Sequence, residues 1–227
     1  MRDTMDEIVT RLKRLDCCAV SDAMDKLGIA GRIASGLEQR STAQRIAGKA
    51  VTYRLAPASD VPPAQGAPRH LGTTAIEVAA PGDVIVVEQR TGIDAGSWGG
   101  ILTLGAKVRG VAGVVVDGPV RDIDEARAYG FPVYCTALTA RTARGRVAEI
   151  EQGGPVNIRG VAVAAGDYVL ADASGVAFVP AGDASRVLDA AEAIAAREAA
   201  MAKALLAGRS IAEVMGADYE HMLHQPK

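Results

Sequence analysis

The feature that most constrains the fold is an alternation of apolar runs and helical patterns in the middle of the chain. Residues 84–88 and 113–116 are rich in valine and isoleucine, which is typical of strands buried on both faces. Residues 101–109 and 121–129 have the spacing of helices, and a turn is expected at residues 117–120. Because parallel strands need a connection of about a dozen residues or more, this order predicts at least one parallel crossover unit.

The N-terminal part of the chain is expected to form two helices followed by a strand. Residues 5–15 place apolar side chains at helical spacing, and Ser21 is the expected N-cap of a second helix that Gly28 ends. Residues 45–55 alternate as a strand does, and the four prolines between residues 57 and 68 predict a loop or lid.

The second half of the chain contains shorter apolar segments. Residues 147–179 consist of short apolar stretches separated by glycine turns, with a hairpin expected at residues 172–175. Residues 184–207 are rich in alanine and predict a long helix that ends before Gly208, and Ser210 is expected to cap one more short helix. We therefore expect an α/β chain with a β-rich second half.

Charge and hydropathy argue against two classes of partner. The formal net charge is −2, and lysine and arginine are scattered along the chain, so binding to nucleic acid is not expected. No run of about 18 uncharged apolar residues is present, so a membrane partner is not expected either. The N-terminus alternates charges where a signal peptide needs an apolar stretch, which predicts a cytoplasmic location.

The cysteines and histidines lack the spacing of a zinc site. The cysteines are Cys17, Cys18 and Cys135, and the histidines are His70, His221 and His224. Adjacent cysteines have poor geometry for a structural disulfide, so all three are interpreted as reduced thiols in the core. Any metal ion that this chain binds is therefore expected to be held by oxygen ligands.

The clearest chemical signal is the pair Arg121 and Asp122, at the point where a buried strand is expected to give way to a helix. Open α/β sheets place their ligands at such points. An arginine can bind a carboxylate through two parallel hydrogen bonds, and an aspartate offers a hard oxygen ligand for Mg²⁺ or Mn²⁺. The pair therefore suits a small 2-oxo acid that chelates a cation. The alternative is an ion pair that only caps the helix.

A glycine turn opens the preceding helix. It consists of Gly99, Gly100, Ile101 and Leu102. Helix N-termini expose unpaired N–H groups, and glycines let an anion approach closely, so this turn is expected to bind a carboxylate or enolate oxygen of the substrate. The alternative is an ordinary glycine-rich turn.

Nearly the whole chain resembles a known family. The segments that carry the resemblance are VSDAMDKLG, PGDVIVVE, WGGILTLGAKVRGVAGVVVDGPVRD, GFPVYC and GDYVLADASGVAFVP. They are similar to those of class II pyruvate aldolases, which cleave 4-hydroxy-4-methyl-2-oxoglutarate and 4-carboxy-4-hydroxy-2-oxoadipate. These aldolases share their fold with the regulator of ribonuclease activity A.

The resemblance implies a fold and an assembly. The fold is a single swivelling β/β/α domain over residues 1–227, with a mixed central sheet and a long C-terminal helix. Its parts are N-terminal helices at residues 4–28, a core at residues 44–180 and the C-terminal helix at residues 184–207. The assembly is a homotrimer or homohexamer with active sites at the subunit interfaces.

The resemblance also implies roles for site residues. The amides of the glycine turn would donate to the pyruvate part of the substrate, and Arg121 would bind its carboxylate or carbonyl oxygen. Asp122 would ligate the divalent cation, Mg²⁺ or Mn²⁺. A glutamate from the C-terminal helix of a neighbouring subunit would contact metal-bound water. Glu198 is the nearest match for this glutamate, and Glu192 is the second candidate.

The chain departs from the family at Gly100, where the aldolases carry an acidic residue that positions a water for proton transfer. Asp94 is the nearest acid in sequence that could replace it, and the alternative is that Asp94 caps its own loop. A metal-bound hydroxide and Glu198 are the other candidates for the base. Aldol cleavage needs a base to remove a hydroxyl proton, whereas decarboxylation of oxaloacetate does not. The chain is therefore expected to be an aldolase, an oxaloacetate decarboxylase, or both.

A second class of function stays open at this point. The ribonuclease regulator has the same scaffold and acts by docking onto a partner enzyme. Gly100 favours such a non-catalytic role, whereas the retained Arg121 and Asp122 favour catalysis, because a docking surface does not need them.

Overall fold

The computed structural model describes residues 3–62 and 70–216. Within these ranges it contains seven α-helices and eleven strands. The helices are α1 (Asp3–Leu12), α2 (Cys17–Lys26), α3 (Thr73–Val78), α4 (Gly100–Val108), α5 (Ile123–Tyr129), α6 (Ala184–Leu206) and α7 (Ile211–Val214). The strands are β1 (Ile33–Ala34), β2 (Glu38–Gln39), β3 (Ile46–Pro57), β4 (Val84–Glu88), β5 (Gly113–Val120), β6 (Val133–Leu138), β7 (Val147–Gln152), β8 (Val156–Ile158), β9 (Val161–Val163), β10 (Tyr168–Asp172) and β11 (Gly175–Val179).

Nine of the described strands form one mixed sheet. Its order is β1-β11-β10-β3-β4-β5-β6-β2, with β7 paired to β3. The strands β3, β4, β5 and β6 are parallel neighbours, and the other pairings in the sheet are antiparallel. Since α4 connects β4 to β5 and α5 connects β5 to β6, the predicted parallel crossover is confirmed.

Side chains of the parallel strands alternate between two separate cores. On one face, Ile85 and Val87 of β4 belong to the same buried cluster as Leu102 of α4. On the other face, Val84 and Val86 belong to a cluster that includes the β8–β9 hairpin. Because both faces are covered, the strand is apolar at each of these positions, as the sequence pattern predicts.

A third core lies between the antiparallel strands and the terminal helices. Leu170 of β10 is buried together with Val20 of α2 and Leu188 of α6. Its neighbour Val169 points to the other side, into the cluster of the β8–β9 hairpin. Helices therefore cover both outer surfaces, and the β-strands lie between them.

The long strand β3 joins the three cores. Ala47, near its start, belongs to the cluster of the terminal helices, and Ala50 belongs to the cluster of the hairpin. Tyr53, farther along, is buried in the cluster that contains α4. A single continuous strand thus belongs to both the antiparallel and the parallel part of the sheet.

The α/β class, the mixed sheet and the long C-terminal helix are confirmed. Asp172 pairs with Gly175 at the predicted hairpin, and Ser210 caps α7 with a complete capping box. The helix α6 ends just before Gly208, which has a positive φ of 88°. None of the helices in the described ranges combines the length and hydropathy needed to cross a membrane. The single-domain prediction for residues 1–227 stays a prediction.

Two predictions near the N-terminus are wrong. The N-cap of α2 is Asp16, not Ser21, because the carboxylate of Asp16 accepts the N–H of Ala19 at 2.8 Å and starts the helix earlier. The thiol of Cys18 is exposed and does not belong to the core, whereas Cys17 and Cys135 are buried. All three are free cysteines.

The turn predicted at residues 117–120 is also wrong, since β5 continues through it. The strand pairs with β6 on both sides of this segment, through Val116 and Pro119, with an irregular register between them. Gly118 permits this course, because a Cβ there would lie 2.4 Å from Oε1 of Gln89. The extension carries the chain directly from the sheet to Arg121.

Gly48 is predicted to be essential for the packing of β3. A Cβ at this position would lie 2.1 Å from the carbonyl oxygen of Gly82, which is backbone and cannot rotate away. We expect Gly48→Ala to lower the free energy of unfolding by about 1–3 kcal/mol, as measured by urea denaturation. Gly182→Ala is the matched control, because a Cβ there meets nothing within 4 Å. Equal stability of the two variants would contradict this prediction.

Candidate active site

A cleft of about 220 Å³ opens where the end of β5 meets the start of α4. Its lining combines glycines, apolar side chains and one arginine–aspartate pair. The lining residues are His70, Leu71, Gly96, Trp98, Gly99, Gly100, Ile101, Leu102, Arg121, Asp122, Thr142 and Ala143. The structure thus brings the predicted Arg-Asp pair and the predicted glycine turn to one cleft.

The pair lies on a sharp turn of the backbone between β5 and α5. Asp122 adopts the left-handed conformation, with φ 57° and ψ 37°. Aspartate tolerates this conformation better than most residues, and non-glycine residues held in it are often found at functional sites. The N–H of Arg121 donates to the carbonyl oxygen of Trp98 at 3.0 Å, which ties the turn to the loop before α4.

That loop passes so close to Arg121 that two of its residues have no room for a side chain. A Cβ on Gly96 would lie 2.8 Å from Cγ of Arg121, and a Cβ on Gly99 would lie 2.9 Å from Oδ2 of Asp122. Steric exclusion, more than backbone flexibility, therefore requires glycine at these two positions.

Buried aromatic residues hold the loop in place. The indole of Trp98 lies nearly parallel to the ring of Phe131, with centroids 6.4 Å apart, and its Nε1 donates to Thr103 at 2.8 Å. The hydroxyl of Tyr53 donates to the carbonyl oxygen of Ser97 at 2.8 Å. The loop is thus fixed by Thr103 of α4, by Tyr53 of β3 and by Phe131, which lies just before β6, so the cleft is preformed.

Arg121 and Asp122 form an ion pair that faces the cleft. Nε of Arg121 lies 3.1 Å from Oδ2 of Asp122, and the same oxygen accepts the N–H of Gly100 at 3.1 Å. The two side chains are 37% and 30% exposed, so the pair is open to a ligand and not sealed in the core. Both contacts of the guanidinium with Asp122 run through Nε, so this pair does not use the terminal amino groups of the fork.

The donor set fits a minimal site for a hard cation. Within residues 3–62 and 70–216, no three His, Cys, Asp or Glu side chains are grouped so that they could hold a metal ion. Mg²⁺ needs only one or two protein carboxylates when water and substrate oxygens complete its shell. Asp122 supplies one carboxylate on the cleft wall. A cation there would be shared with a bound oxo acid and would not sit in a closed protein cage.

Other acidic residues that the sequence singled out lie apart from the cleft lining. Oδ2 of Asp94 lies 3.1 Å from Nε of Arg141 in an exposed ion pair, so the geometry does not support Asp94 as the acid of this cleft. Glu192 is paired with Arg11 at 2.8 Å. Glu198 is exposed on α6. Because its expected role is in the cleft of a neighbouring subunit, that role stays a prediction.

Several lining residues were not found from the sequence. They are His70, Leu71, Thr142 and Ala143. A basic segment, RTARGR at residues 141–146, follows shortly after the predicted anion site and could have indicated the last two. No pattern indicates the first two, which follow the predicted proline-rich lid. Residues 63–69 of that lid, as well as His221 and His224, lie outside the described residues.

A half-buried carboxylate lies behind one wall of the cleft. Glu149 of β7 accepts the N–H of Gly72 at 2.6 Å, next to the lining residue Leu71. Burial raises the pKa of Glu149 above its ordinary value of 4.5, and the hydrogen bond from Gly72 opposes that shift. Burial, and then the charge of Glu149, raises the pKa of Tyr53. The wall therefore carries an ionisable group whose charged form is disfavoured.

Comparison with known proteins identifies one matching family and several relatives. The family described as RraA-like, Aldolase/RraA, matches residues 17–178. A protein of Halalkalibacterium halodurans, named "Putative 4-hydroxy-4-methyl-2-oxoglutarate aldolase", is 28% identical over 214 residues, covering 92% of this chain and 95% of that protein. Protein DlpA of Legionella pneumophila is 30% identical over 209 residues. The match covers 92% of this chain but only 33% of DlpA.

A solved structure shows the same fold. It is that of Streptomyces coelicolor RraAS2, described as an unusual member of the RNase ES inhibitor RraA protein family. The two structures superpose with a TM-score of 0.75 at 27% sequence identity, covering 89% of this chain and 96% of that one.

Glu149 is predicted to make stability depend on pH. Because its pKa is raised in the folded state, the folded state loses stability relative to the unfolded state as the pH rises from about 4.5 through the raised value. Glu149→Gln removes this loss, so the variant should gain stability relative to the parent as the pH rises. Urea denaturation from pH 4 to pH 8 measures the difference. Glu77→Gln, at an exposed position of α3, is the control and should follow the parent's trend. A constant difference between Glu149→Gln and the parent would contradict the prediction.

Proposed function

Because the chain belongs to the RraA-like family, described as Aldolase/RraA, we propose that it is a lyase that cleaves a carbon–carbon bond in a small 2-oxo acid. The reaction needs a divalent cation, Mg²⁺ or Mn²⁺, and gives pyruvate. The substrates are of the 4-hydroxy-4-methyl-2-oxoglutarate type, oxaloacetate, or both. The observation that carries the proposal is the cleft in which Arg121 and Asp122 face the N-terminus of α4.

The chain has two kinds of donor for the anionic end of such a substrate. Arg121 offers the terminal amino groups of its guanidinium, whose planar fork matches a carboxylate. The helix α4 offers N–H groups of its first turn, which have no partner within a helix. The N–H of Gly100 is taken by Asp122, so Ile101 and Leu102 supply the donors that face the substrate.

Asp122 is the residue that would hold the cation. When bound, the cation acts as a Lewis acid on the keto group of the substrate. In the absence of substrate, the charge of Asp122 is balanced by an ion pair with Arg121, in which Nε lies 3.1 Å from Oδ2. When a 2-oxo acid arrives, the guanidinium turns to its carboxylate, and the aspartate is then available to the cation.

The same donors stabilise the charge that develops in the reaction. Breaking the C3–C4 bond of the substrate leaves its electron pair on C3, and the negative charge spreads to the keto oxygen. In the proposed binding mode, Arg121 and the amides of α4 would lie beside that oxygen, and preorganised donors of this kind are a large source of rate enhancement. The preformed loop around Trp98 provides the preorganisation, because it needs no rearrangement when the charge forms.

The proposal includes assembly into a trimer or hexamer. The outer face of α4 carries Ile101 and Val108, which are 82% and 78% exposed, and Val78 of α3 is 57% exposed. Exposed apolar groups on one helix face are typical of subunit interfaces. Since Ile101 also lines the cleft, a neighbouring subunit on this face would lie at its mouth. Such a neighbour is the proposed source of Glu198.

Asp122→Asn is predicted to abolish cation-dependent turnover. The test is pyruvate release from oxaloacetate with Mg²⁺ or Mn²⁺, with and without chelator. We expect a loss of about a hundredfold or more, because the amide is a far poorer ligand for a hard cation. Asp124→Asn, on the exposed side of α5 and paired with Arg127, is the matched control and should keep parental activity.

The outcome of the same assay separates the two classes of function. If the parent shows no cation-dependent release of pyruvate from either substrate, the lyase proposal is wrong. Inhibition of a ribonuclease, the role by which the protein family of RraAS2 is described, would then be the one to test.

Assembly is tested by making the apolar face of α4 polar. We expect the double variant Ile101→Asp and Val108→Asp to shift the mass measured by light scattering from a trimer or hexamer toward a monomer, since the change places charges in an apolar contact. Ile150→Asp on β7, a residue 44% exposed, is the control and should keep the parental mass. A monomeric parent, or an unchanged mass of the double variant, would contradict the proposed interface.

A further inference from the structure

A carboxylate lies in the space that a side chain at position 100 would fill. A Cβ added to Gly100 would be 1.8 Å from Oε2 of Glu125 and 2.5 Å from its Cδ. No larger residue can occupy position 100 unless Glu125 moves away. The glycine and the glutamate are therefore complementary, and a carboxylate of α5 lies beside Gly100, which is one of the residues that line the cleft.

The start of α5 directs two carboxylates to the same place. Asp122 immediately precedes α5, and Glu125 comes three residues after Asp122. The two residues therefore lie about one helical turn apart on the same side of the helix. Asp122 accepts the N–H of Gly100 at 3.1 Å, and Glu125 lies against the Cα of the same glycine. The positive end of the α4 dipole favours both charges.

The two carboxylates have different surroundings. Asp122 is paired with Arg121 and accepts the N–H of Gly100. Glu125 is exposed on α5, and its carboxylate contacts Gly100 by van der Waals packing. Glu125 is therefore the carboxylate beside Gly100 that the ion pair of Arg121 and Asp122 does not include.

We propose that Glu125 is the catalytic base that removes the hydroxyl proton in aldol cleavage, a role that rests on the lyase function proposed above. The proton of the C4 hydroxyl moves to the Glu125 carboxylate while the C3–C4 bond breaks. C4 becomes the carbonyl carbon of the released product, and the electron pair of the broken bond stays on the pyruvate fragment. The proton then passes from Glu125 to C3 and forms the methyl group of pyruvate, which leaves the carboxylate as it began.

The other acids near the cleft are less suited to this role. Asp94 is held in an ion pair with Arg141 at 3.1 Å. Glu149 is tied to the N–H of Gly72 behind the wall. The carboxylates of Glu125 and Asp122 both reach Gly100, the first residue of α4, and Asp122 is already the proposed cation ligand.

The decisive experiment compares two substrates, because only one of the two reactions needs a base. Glu125→Gln keeps the shape of the side chain and loses the ability to accept a proton. We expect its kcat for cleavage of 4-hydroxy-4-methyl-2-oxoglutarate to fall by roughly 10²–10⁴-fold relative to its kcat for decarboxylation of oxaloacetate. Asp124→Asn, the neighbour on α5, should leave the ratio of the two rates at the parental value.

A second pair of variants relocates the acid. Glu125→Ala frees the space beside Gly100, so that Gly100→Asp in the same chain places a carboxylate there from α4. We expect this double variant to cleave the aldol substrate at least tenfold faster than Glu125→Ala alone. Gly100→Asn with Glu125→Ala has the same volume without the charge, and should be no faster than Glu125→Ala alone.

Each remaining outcome contradicts the role of Glu125. Equal losses for the two substrates would indicate a structural role, and full aldol cleavage by Glu125→Gln would show that another group is the base. A parent that decarboxylates oxaloacetate but does not cleave the aldol substrate would overturn this inference and leave the lyase proposal standing. A parent that acts on neither substrate would overturn both.

Discussion

The structure depends on the close contact between the end of β5 and the glycine loop before α4. The N–H of Ser97 donates to the carbonyl oxygen of Pro119 at 2.9 Å, and the N–H of Arg121 donates to that of Trp98 at 3.0 Å. These two bonds join the loop to the strand like an additional strand pairing. They set the distance between Arg121, Asp122 and the N-terminus of α4, and that distance defines the cleft.

Steric exclusion and charge act together in this contact. A Cβ at position 96 would lie 2.8 Å from Arg121, a Cβ at position 99 would lie 2.9 Å from Asp122, and a Cβ at position 100 would displace the flexible carboxylate of Glu125. The helix α4 then presents bare backbone N–H groups to carboxylates, and its dipole compensates part of their repulsion. Larger residues at positions 96 and 99 would push Arg121 and Asp122 outward, and the cleft would lose its proposed cation ligand.

The fold was largely predictable because its elements have strong local patterns. In β4 and β5, every buried position that was predicted as strand is apolar. The capping of α7 by Ser210 was likewise predicted from the residues at the start of that helix. The site was predictable only where neighbours in sequence are neighbours in space, as with Arg121 and Asp122. The proximity of Glu125 to Gly100 depends on how α5 packs beside α4, and no spacing along the chain encodes that distance. Asp94 was favoured for its nearness in sequence, yet Arg141 binds it.

The central claim is that Asp122 and Arg121 hold a cation and a 2-oxo acid together. Crystals soaked with Mn²⁺ and pyruvate, measured at a wavelength where manganese scatters anomalously, test it most directly. We expect an anomalous peak at about 2.1–2.2 Å from a carboxylate oxygen of Asp122, with the pyruvate carboxylate on the guanidinium of Arg121. An Asp122 that keeps its 3.1 Å contact with Arg121 while manganese and pyruvate bind elsewhere would contradict it.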